Sequence, residues 1–484
     1  MLFTDPCFLF LFLPLMLAIY ALTPRGGRNA VLVAGSVLFY ALGEGFLTLI
    51  VLFSIGFNFV IGRWIEGAGG REAGRKPLIV GVIVNLALLI TFKYLRFIVL
   101  SLDAVLAHAG VRLLPPPRIH LPLGISFFTF HTLSYLIDVW RQEVRPMKRL
   151  RDFALYIILF PQLIAGPIIR FKFIRDQIDE GGRRVNWEIF AQGVMRFIVG
   201  FGKKMLIANT VAQTAKTIFE SNPRVLSPGA AWLGAVCYMA QIYFDFSGYT
   251  DMAIGLGRMF GFQFPENFDY PYIAGSITDF WRRWHMTLTS WLRDYLYIPM
   301  GGNRVGRGRL YLNLLTVFFL CGLWHGAQWT FVIWGLYHGL FLILERVGLK
   351  QWLERRAILR HVYVLLVVGV GWVFFNSDTF GGALVYLGRM AFLTSSAPVV
   401  YTLASSFNFT VGVALAAAAI GSMPVAPWAD EWIDRLVRSA RGGAAWGLDL
   451  AASAAELAVM SGIFVASAAL SAAGTYNPFI YFRF

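Results

Sequence analysis

The chain has 484 residues, of which 57% are hydrophobic and only 14% charged, with a mean hydropathy of +0.62. A soluble protein of this size could not hide so much apolar surface, so the composition excludes a soluble enzyme and defines a polytopic, all-α membrane protein. The net charge of +15 falls mostly in loops, where it sets orientation and meets anionic lipid heads, and it is no argument for a nucleic-acid partner.

The N-terminal stretch MLFTDPCFLFLFLPLMLAIYAL lacks a basic start and a cleavage site, and reads as a retained first span over Cys7–Leu22. Further apolar runs predict spans near Ala30–Leu42, Phe46–Ile61, Leu78–Leu100, Leu121–Val139, Ile189–Ile207, Ala230–Phe246, His361–Phe375, Phe409–Ile420 and Leu450–Leu470. The loops holding Arg25 and Arg28, Arg63 to Lys76, and Arg141 to Arg151 are basic and read as cytoplasmic. The segments around Gly43–Gly45, Asp103–His120, Asn209–Pro228 and Asn376–Phe407 are poorer in Lys and Arg and read as external, as do both termini. Cys7, Cys237 and Cys321 all sit in apolar runs and form no disulfide framework.

Asp152–Ile169 breaks the alternation. It is apolar, yet Arg149 and Arg151 precede it and Arg170, Lys172 and Arg175 follow, while Pro161, Gly166 and Pro167 interrupt it. A re-entrant segment fits this pattern, because irregular backbone at membrane depth is tolerated where it lines a cavity. The alternative is a kinked span with one basic flank on the wrong side. Pro265–Arg309 is the most polar block in mid-chain. Phe280, Trp284, Leu288 and Trp291 recur at helical spacing with Arg282, Arg283 and Arg293 between them, which predicts an amphipathic helix at the cytoplasmic interface, its start capped near Ser276, Thr278 and Asp279. Gly301-Gly302-Asn303 ends the block in a turn.

Leu310–Glu345 is almost wholly apolar but carries His325 and His338, and basic residues flank it on both sides. It must go in and come back on one face. The run from Leu310 to His325 climbs roughly 22 Å at about 1.5 Å per residue, which leaves His325 inside the bilayer. A titratable ring there is a functional candidate by default, and histidine is suited to move a proton near neutral pH. The other reading is a histidine that only bonds a neighbouring helix. His338 could face the same cavity, with packing the stronger reading. For His285 a catalytic or donor-binding role and simple solvation weigh evenly, and His131 reads as a buried partner. Cys321 stands four residues before His325, but Gly322 and a helix break expected between them argue against a thiolate–histidine pair. No HExxH or paired Cys/His spacing supports a metal. Asp245 and Asp251 lie in an apolar neighbourhood. Asp245 reads as a cavity residue, paired with a histidine or with Arg258 or Arg282, and Asp251 as a cap for a helix starting at Ser247-Gly248. The Ala-rich stretches Ala414–Ala419 and Ala451–Ala473 read as peripheral helices, joined by an interfacial connector at Trp428–Arg441.

WRRWHMTLTSWLRDYLYIPMGGNR and CGLWHGAQWTFVIWGLYHG resemble the membrane-bound O-acyltransferase family, nearest to its members serving alginate O-acetylation. IAGPIIRF, QIYFDFSGYTDMAIGLG and the terminal NPFIYFRF extend the likeness over nearly the whole chain up to Asn376. The resemblance implies a multi-spanning core with a tunnel joining the two membrane faces, an essential histidine at His325, and a second recurrent histidine at His285. It implies transfer of an acetyl group from a cytoplasmic donor, acetyl-CoA, across the inner membrane to an exported polysaccharide, alginate, through a periplasmic acetyltransferase partner. On that reading 1–150 holds the N-terminal spans, 151–375 the catalytic core and 376–484 the peripheral helices of one membrane domain. Arg282, Arg283, Asn303, Asp245, Trp324 and His338 are then donor-binding or tunnel-lining candidates, with no resident cofactor. The rival class is a transporter or flippase component of polysaccharide export, in which His325 and Asp245 form a proton or substrate path.

Overall fold

The computed structural model describes residues 1–111, 119–179, 182–393, 397–440 and 443–474, and every regular element in them is helical. The terminal NPFIYFRF, Arg441 and residues 112–118 of the predicted external loop lie outside the described residues. A π turn at Phe8–Phe12 runs into α1 (Leu13–Leu22), followed by α2 (Arg28–Glu44) and α3 (Thr48–Gly67). α4 (Arg75–Leu89) continues through a π turn at Ile90–Tyr94 into α5 (Leu95–Leu106), and α6 (Ile125–Trp140) is buried along nearly all of its length. Among the described residues, five stretches are long and apolar enough to cross a membrane, six if a bent pair near the C-terminus counts as one.

The predicted re-entrant segment is three short helices, α7 (Leu150–Ile158), α8 (Phe160–Leu163) and α9 (Phe171–Ile178), with breaks at Leu159 and over residues 164–170. α7 rises only about 13 Å, less than half the roughly 30 Å hydrocarbon core. Both ends of the segment meet one side chain: Asn29 Nδ2 donates to Asp152 Oδ1 and to the Ile178 carbonyl, each at 2.9 Å. The outward and return legs also touch within the bundle, where Tyr156 Oη donates to the carbonyls of His131 (3.2 Å) and Ile169 (3.0 Å). Both ends of the segment therefore lie beside Arg28, as a re-entrant course requires, and its polar backbone is enclosed in protein.

α10 (Trp187–Gly202), a π turn at Lys203–Ala208 and α11 (Asn209–Glu220) form one long helical path, so Asn209–Glu220, expected as external loop, is helix. α12 (Pro228–Met259) is the buried centre of the bundle. It packs antiparallel on α10 through small residues: a Cβ on Gly200 would come within 2.5 Å of the Gly248 carbonyl, and one on Gly193 within 2.7 Å of the Gly255 carbonyl. Such close approach is how helices associate where lipid tails remove the hydrophobic drive.

α13 (Ile277–Arg283) and α14 (Met286–Leu292) correct the single amphipathic helix. Ser276 caps α13, its side chain accepting from the Asp279 backbone N–H at 3.0 Å, but the helix stops at Trp284 and His285 turns left-handed at φ +44°. The aromatic face of Phe280, Trp284, Leu288 and Trp291 is buried in protein rather than laid on an interface.

α15 (Arg307–His325) and α16 (Trp329–Leu344) form the expected hairpin. Gly322 faces the Phe331 carbonyl and Gly335 the Phe318 carbonyl, which sets the two legs antiparallel. Arg346 Nη1 donates to Asn303 Oδ1 at 3.1 Å, so the two flanks do meet on one side. α17 (Lys350–Glu354), α18 (Ala357–Asn376), α19 (Phe380–Met390) and α20 (Leu403–Ser406) follow. α21 (Phe409–Gly421), α22 (Val425–Ser439) and α23 (Gly443–Ala472) close the chain on the outside, with α22 bent 62° from α21 and carrying no buried residue.

Candidate active site

His325 is the last residue of α15, because Gly326 takes an extended φ of −161° and ends the helix. The break thus follows His325 and does not separate it from Cys321, which lies one turn earlier on the same helix and is buried. The imidazole is 5% exposed and meets aromatic rings edge-on: Trp324 at 4.9 Å, Trp334 at 5.0 Å and Phe375 at 5.3 Å between centroids. Those rings fix its plane.

A cavity of about 460 Å³ reaches this ring. Its mouth holds Met1, Glu44 and His120, the last two paired at 3.5 Å; its wall is the stretch Leu121–Phe127 with Ile164; its floor is Lys93, Trp324 and His325. The mouth lies at the Glu44 end of α2, a 17-residue helix whose other end carries Arg28. The cavity therefore opens on the face opposite the basic flanks. Gly124 shapes the wall: it is left-handed (φ +72°), and a Cβ there would stand 2.5 Å from the Leu163 carbonyl at the tip of the re-entrant segment. His131 secures the same segment from α6, its Nε2 accepting from the Ile169 N–H at 3.2 Å.

His285 approaches from the other side. Its ring lies 6.0 Å from that of Trp324 and is wholly buried. Asn267 Oδ1 accepts from His285 Nδ1 (3.1 Å), Thr287 N–H (3.2 Å) and Thr287 Oγ1 (2.9 Å), which holds the left-handed break in place. With Nδ1–H donating to Asn267, His285 Nε2 is the acceptor nitrogen, and it has no hydrogen-bond partner among the described residues. Trp324 meets both histidine rings and stacks on Phe130 at 5.4 Å, which in turn lies parallel to Trp291 at 3.9 Å.

The remaining candidates separate into three places. Trp324 lines the cavity. Arg282, Arg283 and Asn303 lie by the basic flanks: Arg282 and Asn303 are exposed, and Arg283 pairs with Asp269 and Asp279, each at 3.1 Å. His338 is sealed among Trp281, Trp334 and Tyr337, with ring centroids at 5.2, 5.3 and 5.4 Å, and Nε2 faces Gly371. Asp245 is not in the cavity lining; among the described residues it pairs with Lys204, at 2.7 Å between α12 and the π turn, where a histidine, Arg258 or Arg282 was expected. Asp251 caps nothing, because α12 runs straight through it; it pairs with Lys203 and Arg196, each at 2.7 Å. Among the described residues no three His, Cys, Asp or Glu side chains converge on a metal-sized site.

Lys93 is absent from the candidates above. The signal for it is plain in retrospect: one ammonium in the apolar run LIVGVIVNLALLITFKYL, where an ionisable residue needs a reason.

A histidine on the floor of a cavity in a helical membrane bundle, with a second histidine behind it, is an arrangement suited to moving a proton. The chain belongs to the membrane-bound O-acyltransferase family, which residues 52–376 match. It is 42% identical, over the whole of both chains, to the "probable alginate O-acetylase AlgI" of Azotobacter vinelandii. It is 47% identical to the protein of the same description from Pseudomonas aeruginosa, over 78% of this chain and 72% of that one. The peptidoglycan O-acetyltransferase of Helicobacter pylori is 36% identical over 81% of this chain and 80% of its own length. The protein is thus a multi-pass membrane acyltransferase.

Proposed function

We propose that the protein moves an acetyl group from acetyl-CoA in the cytoplasm to O-acetylate an exported polysaccharide, with His325 as general base and the bacterial inner membrane as its location. The observation that carries this reading is the position of His325, under a cavity whose mouth lies on the face opposite Arg282, Arg293 and Arg304. The exposed guanidinium groups suit a phosphate-bearing donor. An acceptor hydroxyl enters by the cavity, gives its proton to His325, and its oxygen attacks the thioester carbonyl. His285, with Nε2 unengaged, stands behind the Trp324 ring on the donor side and receives or returns a proton there.

Alginate is the favoured polymer because the relatives at 42% and 47% identity are described as probable alginate O-acetylases, whereas the peptidoglycan O-acetyltransferase is 36% identical. The acceptor at the cavity is the polymer itself or a hydroxyl of a periplasmic acetyltransferase partner that relays the group. The test is complementation of a strain lacking the gene. A His325→Ala chain that inserts at wild-type level should leave exported polymer without acetyl esters. Loss of polymer export, with residual polymer still acetylated, would replace this reading with the transporter.

A further inference from the structure

Lys93 shares the cavity floor with His325, and nothing above uses it. The π turn at Ile90–Tyr94 sets Lys93 and Tyr94 side by side against the last turn of α15. Tyr94 Oη donates to the Leu323 carbonyl at 2.9 Å; Lys93 Nζ donates to the Trp324 carbonyl and to Ser126 Oγ, the latter at 3.2 Å. π turns inside helices recur at functional sites. Elsewhere in this molecule a helix-end carbonyl is met by a neutral phenol: Tyr20 Oη donates to the carbonyl of Phe260, which caps the end of α12, at 2.8 Å, as Tyr94 does here to Leu323. Closing the end of α15 therefore does not call for a charge. An ammonium has three N–H donors. Two are used, and Lys93 also lines the cavity, beside the residue that precedes His325.

We propose that Lys93 is a catalytic residue, whose third N–H holds the carbonyl oxygen of the acyl group during transfer. This rests on the acyl-transfer reading above. As the acceptor oxygen bonds to the acyl carbon, its proton passes to His325 and the carbonyl π pair moves onto oxygen, facing the ammonium. When the carbonyl re-forms, the C–S bond breaks and the thiolate leaves with the proton from His325. A fixed cation aimed at the oxyanion stabilises the transition state more than the neutral thioester.

The test uses the full-length protein in detergent, acetyl-CoA as donor, mannuronate oligosaccharide as acceptor probe, and CoA thiol release as the readout. Lys93→Met should lower kcat by about 10²–10³-fold, the loss seen on removing one oxyanion donor, with KM for acetyl-CoA unchanged. Lys93→Gln can still donate to Ser126 and Trp324 but carries no charge, and should stay nearly as slow, while Lys93→Arg recovers part of the rate. Recovery by Lys93→Gln to the wild-type rate would reduce Lys93 to a helix-end anchor and overturn the proposal. So would a wild-type rate in Lys93→Met beside an inactive His325→Ala. A His325→Ala protein as fast as wild type would overturn the acyl-transfer reading, and the role of Lys93 with it.

Discussion

On α12, buried carboxylates meet cations from α10 and the π turn that follows it: Lys204 lies 2.7 Å from Asp245, and Lys203 and Arg196 each lie 2.7 Å from Asp251. At the end of α15 the arrangement is different. Lys93 is held by a hydroxyl and a main-chain carbonyl, and it shares with His325 a cavity of about 460 Å³. The first region neutralises its charges locally and spends them on joining helices. The second leaves a cation and a base facing a space that another molecule can fill. Position in an apolar helix marks all these residues as unusual; only their partners divide architecture from chemistry.

The contrast is sharpest if His325 is removed. His325→Ala should cut acyl transfer by about 10²–10⁴-fold, the usual range for a general base, with no change in thermal melting of the purified protein. A rate within wild-type scatter would place the chemistry elsewhere. On the structural side, Lys204→Met removes the ammonium 2.7 Å from buried Asp245 and should cost about 3–5 kcal/mol of stability, read as a lower melting temperature. The transfer rate per folded molecule should hold. Replacing both partners, Lys204→Met with Asp245→Leu, should restore most of the loss, since a buried pair is often replaceable by apolar groups. Gly200→Ala tests the helix contact that carries those pairs. Its Cβ would meet the Gly248 carbonyl at 2.5 Å, so a loss of about 1–3 kcal/mol is expected from overpacking. His338→Leu should do least. It exchanges the imidazole for an apolar side chain of similar volume, costs less than about 1.5 kcal/mol, and leaves transfer intact; a large rate loss would move His338 into the chemistry.

What the sequence discloses depends on how far apart the deciding residues are. The hairpin was legible because its basic flanks adjoin it, and His325 because a polar ring and a glycine turn interrupt one apolar run. The broken, doubling-back course of 150–178 was legible from Pro161, Gly166 and Pro167 between two basic flanks. The break at His285 was not. The helical period of Phe280, Trp284, Leu288 and Trp291 reads straight through it, and the cause is Asn267, 18 residues earlier, which binds both His285 and Thr287. Asp251 looked like a cap because Ser247-Gly248 precedes it; its real partners, Arg196 and Lys203, belong to another helix. Asp245 and Lys204 are likewise joined only by tertiary packing.

The left-handed backbone at His285 complicates the usual way of probing a residue. At φ +44° most side chains are strained, while Asn, Asp and His are tolerated better than others. His285→Ala would delete the imidazole and leave a disfavoured conformation behind, so a sluggish alanine variant would mix lost proton transfer with a displaced Trp284. An asparagine at the same place would keep the bend comfortable, and the rate gap between the two variants would measure how much of the alanine defect is merely mechanical.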